Sequence, residues 1–392
     1  MKPYPKYKPS DIQWLGDIPE HWKIRKVSRS FDIIGSGTTP SADYKNFYQD
    51  GTINWINTGD LNDGLLESCN KKITQSAFDG HSTLKIYPKG TLLIAMYGAT
   101  IGKTSILGIE GCTNQACCAL ANSPYFEMQF AFYWFLANKE HIINLGYGGG
   151  QPNISQEVIR FLKITCPPLP EQTAIAQFLD QKTAQIDTLI AQKQRLITLL
   201  KEERMAFINE ILSDESFPLK KLKYVVSLKS GSGITSDVIR AEGQYPVFGG
   251  NGLRGFYSDF THDGEYILIG RQGALCGNIN YTTGKFWASE HAIVVTILDN
   301  SDMKWLGELL RVMNLNQYSV AAAQPGLSVE NIINLKIPYP PISKQIEISK
   351  SIETTTGKID ATLAKIVQEI ELLKEYRVAL ISEVVTGKTS VV

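Results

Sequence analysis

The 392-residue chain lacks several things, and each absence excludes a class of protein. No apolar run approaches the roughly 18 residues of a membrane-spanning helix, so no membrane role is expected. Neither sign of charge is in excess, with 39 Lys and Arg against 39 Asp and Glu, so the chain is not uniformly basic as many polyanion-binding proteins are. Cys-x-x-Cys pairs are missing. Cys69, Cys112, Cys117, Cys118, Cys166 and Cys276 are scattered, which argues against zinc and against a disulfide framework. The five histidines show no ligand spacing, so no metal and no other cofactor is expected. The Asn/Asp-Pro-Pro-aromatic motif of amino-methyltransferases is absent, and so is a carboxylate-and-lysine nuclease cluster. The start, "MKPYPKYKPS", is basic but has no apolar core of a secretion signal. Together these readings lead us to expect a non-catalytic cytoplasmic protein.

One stretch imitates a nucleotide site. "AMYGATIGKTS" (Ala95–Ser105) follows the apolar run Thr91-Leu92-Leu93-Ile94 and ends in Gly102-Lys103-Thr104. A phosphate loop needs a glycine four residues before that Gly-Lys-Thr. Tyr97 holds the place, and Gly98 is one residue late. Tyrosine does not easily adopt the positive φ that glycine supplies there. The spacing predicts a strand–turn–strand corner, with an NTP-binding enzyme through Gly98–Thr104 kept as an alternative.

Internal repetition decides the architecture. "GGGQPNISQEVIRFLKITCPPLPEQ" (148–172) matches "AAAQPGLSVENIINLKIPYPPISKQ" (321–345) without a gap, at an offset of 173. Gln151-Pro152 falls on Gln324-Pro325, Ser155 on Ser328, and Pro167-Pro168 on Pro340-Pro341. The register holds for 40 residues more. Each copy there reads as one long helix with a heptad seam. The first seam runs through Ile186, Ile190, Ile197 and Leu200, the second through Ile359, Leu363, Ile370 and Leu373. Arg204 and Arg377 occupy the same seam place in the two copies. Each arginine either meets an acid that sets register or snorkels out near the helix end. Each helix should be roughly 60 Å long at 1.5 Å per residue. The simplest partner for each is the other, antiparallel, with the globular segments at opposite ends.

The globular segments are related more weakly. "IGSG" (34–37) parallels "KSGSG" (229–233), "GTLLIAMYGATIG" (90–102) parallels "GEYILIGRQGALCG" (264–277), and "TNQA" (113–116) parallels "SEHA" (289–292). Lys103 falls on Asn278, so the two copies share the glycines and not the lysine. The first segment carries about 23 more residues than the second. "TLLIAM", "ILIG" and "AIVVTIL" read as strands. "MQFAFYWFLANK" (128–139) and "MKWLGELLRVMN" (303–314) read as helices whose aromatics are core. Basic residues open each segment, with Lys23, Arg25, Lys26 and Arg29 in the first and Lys220, Lys221 and Lys223 in the second. They are either a solvated face or a phosphate-contacting edge.

"DIQWLGDIPEHWKIRKV", the two Gln-Pro to Pro-Pro passages, the run "PPLPEQTAIAQFL" and the duplicated plan together resemble the specificity subunit of a type I restriction-modification system, over essentially the whole chain. The second passage, "PPISKQIEISKSI", departs from the pattern but keeps its apolar spacing. The resemblance implies an α+β fold with two tandem mixed α/β target recognition domains. Two long helices, forming an antiparallel coiled coil in a pseudo-two-fold repeat, would separate them. The boundaries are 1–166 for the first recognition domain, 167–213 for the first long helix, 214–339 for the second recognition domain and 340–392 for the second long helix. It further implies a bipartite target on double-stranded DNA, two methyltransferase subunits docked on the helices, and restriction/translocase subunits joining them. A coiled-coil adaptor with no DNA role remains the other alternative. Glycine-rich turns between strands are natural presenting loops for groups that reach base edges or phosphates. The candidates are Ser36, Thr38, Tyr97, Lys103 and Asn114 in the first segment, and Ser232, Asn251, Arg254, Arg271 and Gln272 in the second.

Overall fold

The structure, a computed structural model, describes residues 2–41, 45–146, 153–273, 276–319 and 326–391. Gln151-Pro152 and Gln324-Pro325 lie outside the described residues. The chain divides into two compact units, residues 1–192 with 369–392, and residues 193–368. No helix among the described residues is long and apolar enough to cross a membrane.

The sheet of the first unit orders its strands Ile33–Gly35, Cys117–Ala121, Leu92–Ala95, Thr104–Leu107 and Gly64–Leu66. The pairings are antiparallel except the last. In the second unit the order is Val226–Ser230, Ala292–Ile297, Tyr266–Gly270 and Ile279–Thr282, antiparallel throughout. The four shared positions have one topology, and the first unit adds an edge strand. Leu92–Ala95 and Cys117–Ala121 are buried along their whole length, which is why they read as unbroken apolar runs and not as alternation. The helices Met128–Ala137 and Met303–Val312 pack on these sheets. Phe130, Tyr133 and Trp134 on one, and Trp305, Leu309 and Leu310 on the other, are buried core.

Each unit is rooted on its long helix in the same way. Ser155 and Ser328 cap short helices by accepting from Val158 N (3.1 Å) and Asn331 N (3.3 Å). A strand follows each: Lys163–Cys166 pairs with the basic entry Lys23–Lys26, and Lys336–Pro338 with Leu219–Lys221. The Pro-Pro pair then ends the strand and opens the helix, because proline has no N–H for a ladder but suits a first helical turn. Next comes a buried glutamine. Gln172 donates to Pro167 O (2.9 Å) and accepts from Glu127 N (2.9 Å). Gln345 donates to Pro340 O (2.9 Å) and accepts from Asp302 N (2.9 Å). Glu127 and Asp302 in turn cap the core helices.

The long helices run Leu169–Leu212 and Ile342–Val385. In the first unit the start of one meets the end of the other. Tyr4 donates to Glu171 and touches Tyr7, whose hydroxyl donates to Lys388 O, so the pairing is antiparallel. In the second unit Ile208 and Leu212 share a core with Ile348 and Ile352. Of the seam residues, Ile186, Ile359 and Ile370 are buried, and Ile190, Ile197, Leu200, Leu363 and Leu373 are half-buried. Arg204 Nε lies 3.2 Å from Asp360 Oδ1, and Arg377 Nε lies 3.0 Å from Asp187 Oδ1. Asp187 and Asp360 are themselves related by the 173-residue offset. The arginine of each copy therefore meets the aspartate of the other.

Candidate nucleic-acid interface

In the second unit three loops converge where strands end. Tyr266–Gly270 runs on into Arg271-Gln272-Gly273, Ser289-Glu290-His291 leads into Ala292–Ile297, and Gly250-Asn251 turns between Tyr245–Gly249 and Gly252–Tyr257. Backbone bonds tie them: Arg271 N donates to His291 O (2.9 Å), and Ser289 N donates to Phe248 O (2.8 Å). They enclose an open cleft of about 440 Å3 lined by Gly250, Asn251, Arg254, Gln272, Gly273 and His291. A Cβ on Gly249 would lie 2.5 Å from Arg254 Cδ, so a larger residue there would shift the arginine side chain. Arg254 Nη2 donates to Ser236 Oγ at 3.4 Å. Glu290 lies 3.1 Å from His291 Nε2 through one oxygen and accepts from Ile234 N (3.2 Å) through the other. The cleft thus presents a guanidinium, two amides and an imidazole beside a carboxylate, a mixture suited to base edges in a groove.

Three of the five second-segment candidates, Asn251, Arg254 and Gln272, share this cleft. Arg271 is half-buried, and its backbone joins His291 and Leu327. Ser232 lies in the adjoining turn, bonded through its N to Ala288 O (2.9 Å), and its carbonyl accepts from Trp287 Nε1 (3.2 Å). His291 and Glu290 were not foreseen. The signal lies in "SEHA", which aligns with "TNQA", the stretch that holds the candidate Asn114.

The first unit builds a related rim. Gly37 N donates to Thr113 Oγ1 (3.1 Å) and to Asn114 O (3.3 Å). Gly37 also has no room for a side chain, because a Cβ would overlap Thr113 O. Thr38 O accepts from Trp55 Nε1 (3.1 Å), Thr39 Oγ1 donates to Gln115 Oε1 (2.7 Å), and Ser36 Oγ donates to Gln156 Oε1 (3.4 Å). Asn114 spends its side-chain oxygen on Ala116 N (3.1 Å). Tyr97 hydrogen-bonds Gln115, the counterpart of His291, and its burial pushes its hydroxyl pKa up. Ser36, Thr38 and Asn114 therefore sit together, with Tyr97 joined through Gln115. Lys103 is not part of these bonds.

Lys103 belongs to a closed hairpin turn. Gly102 N donates to Ala95 O (2.9 Å), Lys103 N to Thr100 O (3.0 Å) and Ile101 N to Gly98 O (3.1 Å). Thr104 N donates to Asp63 Oδ1 (2.8 Å), and Asp63 also pairs with Lys139. A strand follows, not a helix, and an acid stands where a phosphate would need to be. An NTP site at Gly98–Thr104 is overturned by this geometry. Gly98 and Gly102 have φ of +85° and +75°, and Gly273 and Gly277 have +88° and +84°. The shared feature is the turn.

Part of each basic entry is spent on structure. Arg25 stacks 3.5 Å over Tyr125, Lys26 lies 3.8 Å over Phe161, and Lys220 pairs with Asp299 at 3.1 Å. Each strand carrying them is a partner of the strand before Pro-Pro.

Comparison with known proteins agrees with this arrangement. The model of the type I restriction modification DNA specificity domain matches residues 19–199 and 215–372. Over 385 residues the chain is 32% identical to the type I restriction enzyme EcoprrI specificity subunit of Escherichia coli, covering 93% of this chain and 91% of that one. Among solved structures, the fold is similar to a chain from work on complex assembly and conformational transition of the type I R-M system. The TM-score is 0.79 at 14% identity, covering 95% of this chain and 99% of that one. It is also similar to the HsdS subunit from Thermoanaerobacter tengcongensis, with a TM-score of 0.62 at 15% identity, covering 95% and 98%. A family match over most of the chain, with a whole-length relative, leaves one assignment: the chain belongs to the DNA specificity subunits of type I restriction-modification systems, the members of those systems that carry no catalysis.

Proposed function

We propose that this subunit reads a bipartite target on double-stranded DNA in the cytoplasm, one half-site per recognition domain, across a spacer that it does not read. Residues 1–166 and 214–339 are the two recognition domains. The helical segments 167–213 and 340–392 join them. These segments also dock two methyltransferase subunits, and restriction/translocase subunits join for cleavage. Adenine methylation needs the base flipped from the stack, and that pocket lies in the partner.

The observation that carries the reading is the repeated root. Two readers with one strand order hang from two long helices by the same glutamine bridges, Gln172 and Gln345, while their loop residues differ. A constant scaffold bearing variable loops is what independent reading of two half-sites requires. The test reconstitutes the chain with its cognate methyltransferase and maps methylated adenines. Exchanging residues 30–150 for another reader should change one half of the target and leave the other intact. An unchanged methylome would sink the proposal.

A further inference from the structure

Beside the Pro-Pro turn, the first unit has a hollow of about 250 Å3 with His21, Lys23, Arg25, Pro124, Tyr125 and Cys166 among its lining. Lys23 and Arg25 are two apart on one strand, so they share a face, and Lys23 is the strand partner of Cys166. Arg25 stacks 3.5 Å over Tyr125. Stacking engages the flat face of a guanidinium and leaves the N–H donors at its edge available. Among the described residues no carboxylate pairs with either cation. Glu171, the acid beside His21, already accepts from Tyr4 Oη (2.7 Å) and Trp22 Nε1 (3.0 Å) and lies 2.8 Å from His21 Nε2.

The second unit shows the same place filled. Arg25 pairs across its ladder with Ile164, and Lys220 pairs with Ile337, 173 residues further on, so Lys220 is the counterpart of Arg25. In that register Tyr339 corresponds to Cys166. Pro218, whose carbonyl accepts from Tyr339 N (2.9 Å), corresponds to Lys23. Counting back from the helix caps Glu127 and Asp302, Pro124 corresponds to Asp299. Asp299 Oδ2 lies 3.1 Å from Lys220 Nζ and accepts from Tyr339 Oη (2.7 Å), and Lys220 lies 4.0 Å over the Tyr339 ring. There the cation has its own carboxylate, and a phenol closes the space. In the first unit the cation is kept, but proline replaces the carboxylate and a second cation is added. A thiol replaces the phenol, which leaves room beside the unmatched charge.

The hollow is smaller than the roughly 300–1,000 Å3 of small-molecule sites, and suits one side chain. It is also set apart from the reading rim. Asn114 precedes the strand Cys117–Ala121 and Pro124 follows it, and its five residues span roughly 16 Å at about 3.3 Å each. A protein carboxylate therefore fits better than a phosphate of the DNA being read.

We propose that this hollow receives an aspartate or glutamate side chain of a partner protein, with its carboxylate between Lys23 and Arg25, as Asp299 serves Lys220 in the second unit. The inference rests on the reading that the chain assembles with a methyltransferase subunit. That subunit is titrated into the full chain by calorimetry, without DNA. Pro124→Asp supplies the missing acid from within the chain. It should raise the melting temperature of the free chain and weaken assembly about tenfold, the scale of one charge pair at an interface. Lys23→Gln combined with Arg25→Gln should weaken assembly by a similar factor, and less at high salt. A variant that merely misfolds loses stability, whereas Pro124→Asp gains it. Assembly as tight in both variants as in the unaltered chain would overturn the assignment. So would a double variant that assembles normally but whose complex binds DNA more weakly, with a shallower salt dependence, since the anion is then a DNA phosphate. An unaltered chain that does not assemble at all would remove the docking reading itself, and this assignment with it.

Discussion

Gln172 and Gln345 each satisfy a carbonyl of the Pro-Pro turn and an amide at the start of a core helix, with almost no exposure. Replacing either with leucine strands those partners in the interior. We expect a loss of about 1–3 kcal/mol for each of Gln172→Leu and Gln345→Leu, measured by denaturant unfolding. A second residue sets a pH limit. His262 is held between Phe286 and Tyr266, and burial lowers its pKa from 6.5. The folded state prefers the neutral ring, so the stability it contributes is complete above about pH 6.5 and falls as pH drops toward the lowered value. Thermal unfolding should show the second unit weakening between neutral and mildly acidic pH, and His262→Phe should reduce that slope. At the cleft, Arg254→Ala should cost about 1–3 kcal/mol in binding and relax one half-site only, read by methylation of target variants.

At the scale of elements, the two long helices carry their register in charge. Arg204 meets Asp360, and Arg377 meets Asp187, with the aspartates about half exposed. Each pair is therefore worth only about 0.2–1 kcal/mol. Its use is discrimination: Arg204→Asp opposes two acids, and Asp360→Arg in the same chain should restore the lost stability in a double-mutant cycle. The glycine turns give a sharper contrast. Gly273 and Gly277 both have positive φ, but a Cβ on Gly273 meets nothing within 4 Å among the described residues, whereas one on Gly277 comes 2.6 Å from Asn316 N. Gly273→Ala should cost about 1–2 kcal/mol of backbone strain. Gly277→Ala should cost more, because backbone must also move, and comparison of unfolding midpoints checks the order.

Over the whole molecule, the duplication has been conserved where it supports and relaxed where it presents. The caps Ser155 and Ser328, the Pro-Pro turns, the glutamines and the Arg–Asp pairs recur at one offset. The loops do not: Tyr97 and Gln115 in one unit correspond to Gln272 and His291 in the other. The same freedom reaches the core helices, where Tyr133 corresponds to Glu308 beside an open cleft.

The architecture was legible before any coordinates because it rests on short-range rules. A heptad period, a proline pair before a helix and a repeat at fixed offset are statements about neighbouring residues, and they carried the long helices and the two related sheets. What the arginines meet was not legible, since Asp187 and Asp360 become their partners only through antiparallel pairing. Nor was the fate of Lys103, whose turn is closed by a bond from Thr104 to Asp63, 41 residues away in the sequence. The cleft shows the division most clearly. Asn251, Arg254 and Gln272 stand out in the sequence for their chemistry and their place in glycine turns. That they face one another with His291, while Ser232 and Arg271 contribute mainly through the backbone, was decided by three loops brought together at the strand ends. Chain composition holds no such distance; the packing of the sheets creates it.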